Sequence, residues 1–354
     1  MKPFFSIIMS CCDVEQYVRE CLDSVLGQTF ADWECIVGIE ESRDRTEEIV
    51  SKYAAKDPRI KVFTGPRSGS CSATRNTGIE KATGEYVVFV DGDDTITEGS
   101  LQRIHDKIAA RPGADLYPCA IQVFNEMTGK NEELRDNYPS DFNGELSGPE
   151  ATVMIYERRR DPCPMMQMTV FRREHLIVHG LRCLHGRKRQ DSEFSPRALY
   201  LAARVIPLHE CFYVYRVRAN SISTLAKEGS YFLDSYADIL RSLLAFHAKV
   251  SRESGFDKRI ARFWAKHWLN WICYYWFGMR VIKNTPRQKR LDTLRLLFRD
   301  GFEDLDAIMY AATVQRRVAC LFVKFFVRHP RLAWLADAFF RYAYHPLVGM
   351  RDSL

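Results

Sequence analysis

The 354-residue chain lacks any uncharged apolar run of the roughly 18 residues that a membrane-crossing helix needs. The longest candidate, Trp268 to Met279, falls short, so the chain is expected to lie on a membrane at most and not to span it. Paired metal spacings are missing too. The eleven cysteines include no CxxC pair, Cys11-Cys12 stands too early to suggest a zinc site, and His175, His179, His185 and His209 show no ligand spacing. Core or surface roles are the default for all of them. The glycines of Gly65-Pro66-Arg67-Ser68-Gly69-Ser70 fit neither a dinucleotide fingerprint nor a P-loop, and no phosphate-binding lysine follows them. There is no internal repeat, no low-complexity tract and no recognised nucleic-acid-binding module, so nucleic acid is not an expected partner. Met1-Lys2-Pro3-Phe4-Phe5 runs straight into a strand pattern instead of a signal peptide, and with an odd cysteine count this predicts a reducing, cytoplasmic setting.

What is present is enough for a substantial core: 46% of the residues are hydrophobic and 27% charged, at a length that suits one large domain or a domain with an appendage. The net charge of +6 is unevenly spread. From Tyr231 to Leu354 there are 21 Lys and Arg against 11 Asp and Glu, a net +10 that leaves −4 for residues 1–230. The chain is therefore expected to divide into an α/β domain over residues 1–229 and a basic, aromatic-rich helical region over 230–354.

The first hundred residues alternate short apolar runs with amphipathic stretches, which predicts βα units and a mostly parallel sheet. Strands are expected at Phe4 to Met9, Trp33 to Ile39, Ile60 to Phe63 and Tyr86 to Val90. Helices are expected from Val14, with Asp13 as cap and Gly27 as stop, and over Thr46 to Tyr53 and Ser72 to Ala82. Thr128-Gly129-Lys130 has the look of a hairpin turn, and Val205 to Leu208 and Cys211 to Tyr215 read as short strands. After about Gly229 only helices are expected.

The strand ending at Val90 delivers Asp91-Gly92-Asp93-Asp94 to its C-terminal end, where open α/β sheets bind ligands. Carboxylates crowded at an apolar sheet edge are unfavourable unless a cation relieves them. Oxygen-only ligands at short spacing suit Mg²⁺ or Mn²⁺ bridging to substrate phosphates, and Gly92 removes bulk where a ligand would approach. The competing account is a solvated acidic turn ahead of the helix after Ser100.

Four blocks in order carry a resemblance. They are Ser6-Ile7-Ile8-Met9-Ser10 with Val14 to Thr29, then Ser72-Ala73-Thr74-Arg75-Asn76-Thr77-Gly78-Ile79, then Ala82-Thr83-Gly84-Glu85-Tyr86, then the acidic turn. Residues 5 to about 224 resemble a family-2 glycosyltransferase of the GT-A fold, of the kind that builds bacterial polysaccharides and cell-surface glycans. The resemblance implies a Rossmann-like, mostly parallel sheet flanked by helices and an inverting enzyme using a nucleotide-sugar donor, often a UDP-sugar, with Mn²⁺ or Mg²⁺. It implies Asp93 as metal ligand, Asp91 at the donor ribose or sharing the metal, and Arg75 and Asn76 near the nucleotide, with Ser10 and Gly92 in the same donor site. For Arg75 the residue chemistry leaves a second role open, a salt bridge that braces the acidic turn.

Two positions depart from the family pattern. Relatives usually carry Asp-Asp-Gly-Ser after the second strand; here Ile39-Glu40-Glu41-Ser42 stands there, with Asp44 and Thr46 keeping later positions. Glu40 then takes the place of the base-contacting carboxylate, one methylene longer, and an ordinary acidic loop is the alternative. Relatives commonly draw the catalytic base from a Glu-Asp pair opening a helix, and here the stretch is Arg189-Gln190-Asp191-Ser192-Glu193. Inverting transfer needs a carboxylate to take the proton of the attacking hydroxyl, so Asp191 is the expected base and Glu193 the substitute, although helical spacing points Glu193 away. Asp191 would alternatively serve as a helix cap. Tyr215 to Ser223 resembles the family's closing segment near the donor phosphates. Some relatives place a histidine where Arg218 stands; arginine cannot ligate a metal, so Arg218 would act by charge.

In the basic tail Val318, Leu321, Phe322, Phe325 and Phe326 form an apolar stripe beside Arg316, Arg317, Lys324 and Arg328. Such a helix suits peripheral contact with an anionic membrane face, close to lipid-linked acceptors, or packing on the protein itself or on a second subunit as a homodimer. The acceptor is expected to be a saccharide or a lipid-linked one. A sugar nucleotidyltransferase is the rival enzyme class, but it would want a glycine-rich first loop with a basic residue, which Ser10-Cys11-Cys12-Asp13 does not supply. A catalytically degenerate scaffold is the rival outside enzymes.

Overall fold

The computed structural model describes residues 2–158, 165–219, 233–254, 256–277, 285–298, 314–329 and 335. The chain forms two compact units, Met1–Ala219 and Asn220–Leu354. In the first unit, β1 (Phe5–Cys11), α1 (Val18–Leu26), β2 (Trp33–Glu40), α2 (Thr46–Ala54), β3 (Ile60–Gly65), α3 (Ser72–Lys81) and β4 (Tyr86–Asp91) follow the expected βα rhythm. Then come β5 (Thr95–Ile96), α4 (Ser100–Ala110), β6 (Leu116–Pro118), β7 (Ala120–Asn125), β8 (Lys130–Arg135), α5 (Gly148–Arg158), β9 (Thr169–Arg172), α6 (Arg173–Val178), α7 (Asp191–Tyr200) and β10 (Cys211–Val217).

The main sheet has the order β3-β2-β1-β4-β9-β6, with the first four strands parallel and β9 antiparallel to both β4 and β6. Strands β1 and β2 are buried along their whole length, which is why their middles, Ile7-Ile8-Met9 and Cys35-Ile36-Val37, are apolar on both faces and not alternating. Successive side chains supply opposite faces. Ile7, Met9, Val37, Val88 and Val90 pack with Val18, Leu22, Val25, Leu101 and Ile104 of α1 and α4. Ile8, Ile36, Val87 and Phe89 pack with Ile79 of α3, Ile155 of α5 and Phe194 and Ala198 of α7. A second sheet, β5-β10-β7-β8, carries the hairpin predicted around Gly129.

Two expectations need correction. The first helix begins at Val18, not Val14, and Asp13 does not cap it. Asp13 sits at φ 51° and its carboxylate accepts the Arg43 amide at 2.7 Å and the Arg67 guanidinium at 2.6 Å. The loop after β1 is thereby stitched to the loop after β2, a stitch extended by Val14 N–H to Thr46 Oγ1 and Glu15 N–H to Asp44 Oδ2, each at 2.9 Å. The second concerns residues 205–208: Val205 makes only isolated bridges, to Leu116 and Leu146.

The second unit is helical as described: α8 (Leu233–Val250), α9 (Lys258–Phe277), α10 (Arg287–Leu297) and α11 (Val314–Arg328). Trp264 and Trp276 are core residues. Trp264 stacks on His247 at 3.6 Å between ring centres, and Trp276 donates Nε1–H to Thr293 Oγ1 at 3.0 Å. Among the described residues no helix is long and apolar enough to cross a membrane. The tail stripe divides: Val318, Leu321, Phe322 and Phe325 are exposed, whereas Phe326 is buried alongside Val323 and Cys320.

At the N-terminal end of the main sheet, opposite the acidic turn, Glu34 is 3% exposed. It accepts Ser6 Oγ–H, the Thr83 amide and hydroxyl, and Lys61 Nζ at 2.6–2.8 Å. Burial alone would raise its pKa, but Lys61, Ser6 and Thr83 outweigh it and hold the carboxyl at about 2. Because the folded value lies below the unfolded one, the stability Glu34 contributes is complete above about pH 4.5 and is lost as pH falls towards 2. Relative to Glu34→Gln, the wild type should hold an advantage on the order of 3 kcal/mol at pH 7 that shrinks across this window, read by urea unfolding at several pH values.

Candidate functional site

The parallel strands end side by side, with Ser10 of β1 in register with Asp91 of β4 and Gly38 of β2, and Glu40 of β2 in register with Gly65 of β3. The chain after β4 turns sharply: Gly92 N–H bonds Ser10 O at 2.9 Å and Asp94 N–H bonds Asp91 O at 3.0 Å. A Cβ on Gly92 would lie 2.7 Å from Cys11 Sγ and 3.2 Å from Val14 Cγ2, so this glycine is required by close packing on β1. The space on its Cβ side is filled by Cys11 and Val14.

Each carboxylate of the turn has its own environment. Asp91 is gripped on both oxygens, Oδ1 by Arg75 Nη2 at 2.6 Å and Oδ2 by Gln167 Nε2 at 2.7 Å. Arg75 is buried on α3, and charge on both Asp91 and Asp191 favours its ionised form against burial. Asp93 Oδ2 accepts Arg218 Nε–H at 2.9 Å, and its carboxyl is pushed up by burial and by the charge of Asp91 beside it. Asp94, 2% exposed, accepts Tyr213 Oη–H and the Arg216 amide, the latter at 2.7 Å, and burial raises its pKa well above the usual carboxylate range. Tyr213 also takes the Asp91 amide at 3.1 Å, so one phenol links both ends of the turn to β10.

Arg216 and Arg218 flank the turn. Arg216 donates Nε–H to Asp93 O at 3.1 Å, pairs with Glu20 at 2.6 Å and lies 5.3 Å from the Tyr17 ring centre; Arg218 lies 5.1 Å from the same ring. Residues 220–223 of the expected closing segment lie outside the described residues.

The other expected site residues are accounted for as follows. Glu40 is 3% exposed and accepts the Ser68 hydroxyl at 2.5 Å and the Ser68 amide at 3.2 Å, which ties it to the 66–70 loop. Ser10 Oγ accepts Thr74 Oγ1–H at 3.2 Å. Asn76 uses both ends of its amide on Cys183, giving Nδ2–H to its carbonyl at 2.9 Å and taking its N–H at 2.7 Å. Asp191 opens α7 half-buried, with Gln190 as the N-cap residue and no side-chain capping bond. Glu193 is 1% exposed and paired with Arg197 at 2.7 Å, turned into the fold as its spacing implies.

Among the described residues no group of three or more His, Cys, Asp or Glu side chains gathers around a metal-sized space. The donor set does suit a cation shared with a ligand: two acidic side chains from one turn, one of them crowded and buried enough to resist ionisation, match Mg²⁺ or Mn²⁺ held by one or two carboxylates plus phosphate oxygens. Sequence reasoning missed Gln167, Tyr213 and Arg216. Gln167 comes from a segment with no local motif; Tyr213 and Arg216 lie in the expected last strand and closing segment, where their contacts with the turn are long-range and leave no local signal.

A four-stranded parallel edge that presents an acidic turn, flanked by a mixed second sheet, defines a GT-A α/β domain. Residues 6–180, about half of the chain, match glycosyl transferase family 2. It is 31% identical over 233 residues to the uncharacterized glycosyltransferase EpsJ of Bacillus subtilis, covering 64% of each chain. It is 28% identical over 225 residues to the glycosyltransferase GlyA of Streptococcus pneumoniae, covering 63% of this chain and 32% of that one. The chain thus spans less than two thirds of the length of these curated relatives. The crystal structure of S. aureus TarS 1-349 matches with a TM-score of 0.70 at 18% identity, covering 100% of this chain and 93% of that one, and TarS 1-349 has also been solved with UDP and with UDP-GlcNAc.

The Arg75–Asp91 pair sets a stability test. Arg75→Met should destabilise the protein by about 3 kcal/mol, because it leaves Asp91 with its charge and only Gln167 to answer it. Adding Asp91→Asn should recover about half of that loss in urea unfolding; strictly additive effects would mean the pair is not coupled.

Proposed function

We propose that the chain is an inverting glycosyltransferase that moves a sugar from a nucleotide-diphosphate donor, a UDP-sugar, to a hydroxyl of a saccharide or lipid-linked acceptor. The observation that carries this is the acidic turn at the sheet edge, with Arg75 answering Asp91, Arg218 answering Asp93, and Asp191 opening the helix that follows on the Arg75 side. The fold of TarS, solved with UDP and with UDP-GlcNAc, accords with this choice of donor. Residues 1–229 are taken as the catalytic domain and 230–354 as its basic helical region.

In this reading Glu40, Ser10 and Arg75 border the nucleoside end of the donor, and Glu40 would accept a hydrogen bond from the base. Mn²⁺ or Mg²⁺ held by Asp93, with Asp91 beside it, would supply positive charge against the departing diphosphate. Arg218 adds a guanidinium there, whose fork of donors suits phosphate oxygens. Asp191 takes the proton of the acceptor hydroxyl as that oxygen bonds to the anomeric carbon. The bond from that carbon to the diphosphate breaks, and its electron pair leaves with UDP. Attack from the face opposite the leaving group inverts the anomeric centre.

Asp191→Asn keeps the side chain's shape and removes its basicity. With a panel of UDP-sugars and saccharide or lipid-linked acceptors, it should keep the donor KM and lose at least about 100-fold in kcat. Transfer by Asp191→Asn at the native rate would overturn the base assignment, and no transfer from any donor by the wild type would favour a degenerate scaffold.

The exposed Val318, Leu321, Phe322 and Phe325 share α11 with exposed Arg317 and Arg328, an arrangement suited to the anionic inner face of a cytoplasmic membrane. Co-sedimentation with phosphatidylglycerol vesicles should exceed that with neutral vesicles. Leu321→Ser with Phe325→Ser should weaken it by about tenfold or more. Equal binding to both vesicle types, or a homodimer dispersed by the same substitutions, would contradict a membrane role.

A further inference from the structure

The loop that delivers Asp191 has little structure of its own. Between Leu181 and Gln190 its internal backbone hydrogen bonding reduces to Arg187 N–H to Leu184 O at 3.4 Å, and it passes through positive φ at Gly186 (66°) and Arg189 (56°). A non-glycine residue in that region holds its conformation only where neighbours enforce it. One face of α3 and the residue before it hold the loop at three points. Asn76 brackets Cys183 with two hydrogen bonds, Ser72 Oγ accepts the Gly186 amide at 3.0 Å one helical turn earlier, and Cys71 Sγ accepts Gln190 Nε2–H at 2.8 Å. The attachments at 183, 186 and 190 span the loop up to the residue before Asp191.

Adjacent helix residues point about 100° apart, so Arg75 and Asn76 serve different neighbours. Arg75 reaches the acidic turn and Asn76 reaches the loop. We infer that Asn76 is a positioning residue for Asp191 and not a donor ligand: its amide sets the path of the 181–190 loop, and through that loop the place of the carboxylate that takes the acceptor proton. The inference rests on Asp191 as base and changes the role implied for Asn76 by the family's Arg-Asn pair. It also gives Gln190 a use, since the amide that stands where relatives have a glutamate is the group that binds Cys71.

The test is hydrogen–deuterium exchange on the full chain, paired with calorimetric titration of UDP in Mn²⁺. Asn76→Ala should raise exchange in peptides covering 181–191 by about tenfold or more, while UDP affinity changes by less than about threefold. Asn76→Asp keeps an oxygen for the Cys183 amide and should restore part of the protection. With a donor that turns over, Asn76→Ala should lower kcat by about tenfold and leave the donor KM unchanged, a split that general destabilisation would not produce. Should Asn76→Ala fail to fold, Ser72→Ala reads the same loop through the Gly186 amide. A tenfold or greater loss of UDP affinity with loop exchange unchanged would overturn the inference, as would unchanged exchange in both variants. Failure of the wild type to bind UDP would instead reject the donor reading, and the exchange result would still decide whether Asn76 holds the loop.

Discussion

Burial of negative charge at the end of a strand enclosed on both faces is the constraint on which this site is built. Asp91, Asp93 and Asp94 leave β4 within four residues, and a carboxylate removed from water is stable only where donors or cations face it. Arg75 and Gln167 answer Asp91, Arg218 answers Asp93, and Tyr213 with the Arg216 amide answers Asp94. These groups come from α3, from the turn before β9 and from β10. The turn therefore draws three distant parts of the chain together, and the residual crowding at Asp93 is what a cation and diphosphate would relieve.

The same economy shapes the rest of the site. Helix α3 faces the acidic turn with Arg75 and the loop before Asp191 with Ser72 and Asn76, so one element holds both the charge-bearing turn and the loop that leads to Asp191. The loops after β1 and β2 brace one another through Asp13, Asp44 and Thr46 and thereby fix the entrance beside Glu40. At the far end of the sheet Glu34 performs an analogous service with Ser6, Lys61 and Thr83, where the partners keep the carboxyl ionised.

Strands β1, β2 and β4 were legible in the sequence because a strand buried on both faces is apolar through its middle, and the acidic turn was legible because charge follows such a strand abruptly. The start of α1 was not. Asp13 has the composition of a cap, but its carboxylate is taken by Arg43 and Arg67, neighbours only in the folded chain. Gln167 and Tyr213 escaped for the same reason, since their partners lie 76 and 119 residues away. In the tail, helical spacing put Phe326 in one apolar stripe with Val318, Leu321, Phe322 and Phe325, and did not show that Phe326 alone of the five is buried.

The central claim is that this turn binds a nucleotide diphosphate through a divalent cation. Calorimetric titration of UDP into the wild type and into Asp93→Ala, each with and without Mn²⁺, addresses it directly. The account predicts sub-millimolar binding that needs the metal and is weakened by about tenfold or more in Asp93→Ala. Binding that is indifferent to Mn²⁺, or of equal strength in both proteins, would contradict it.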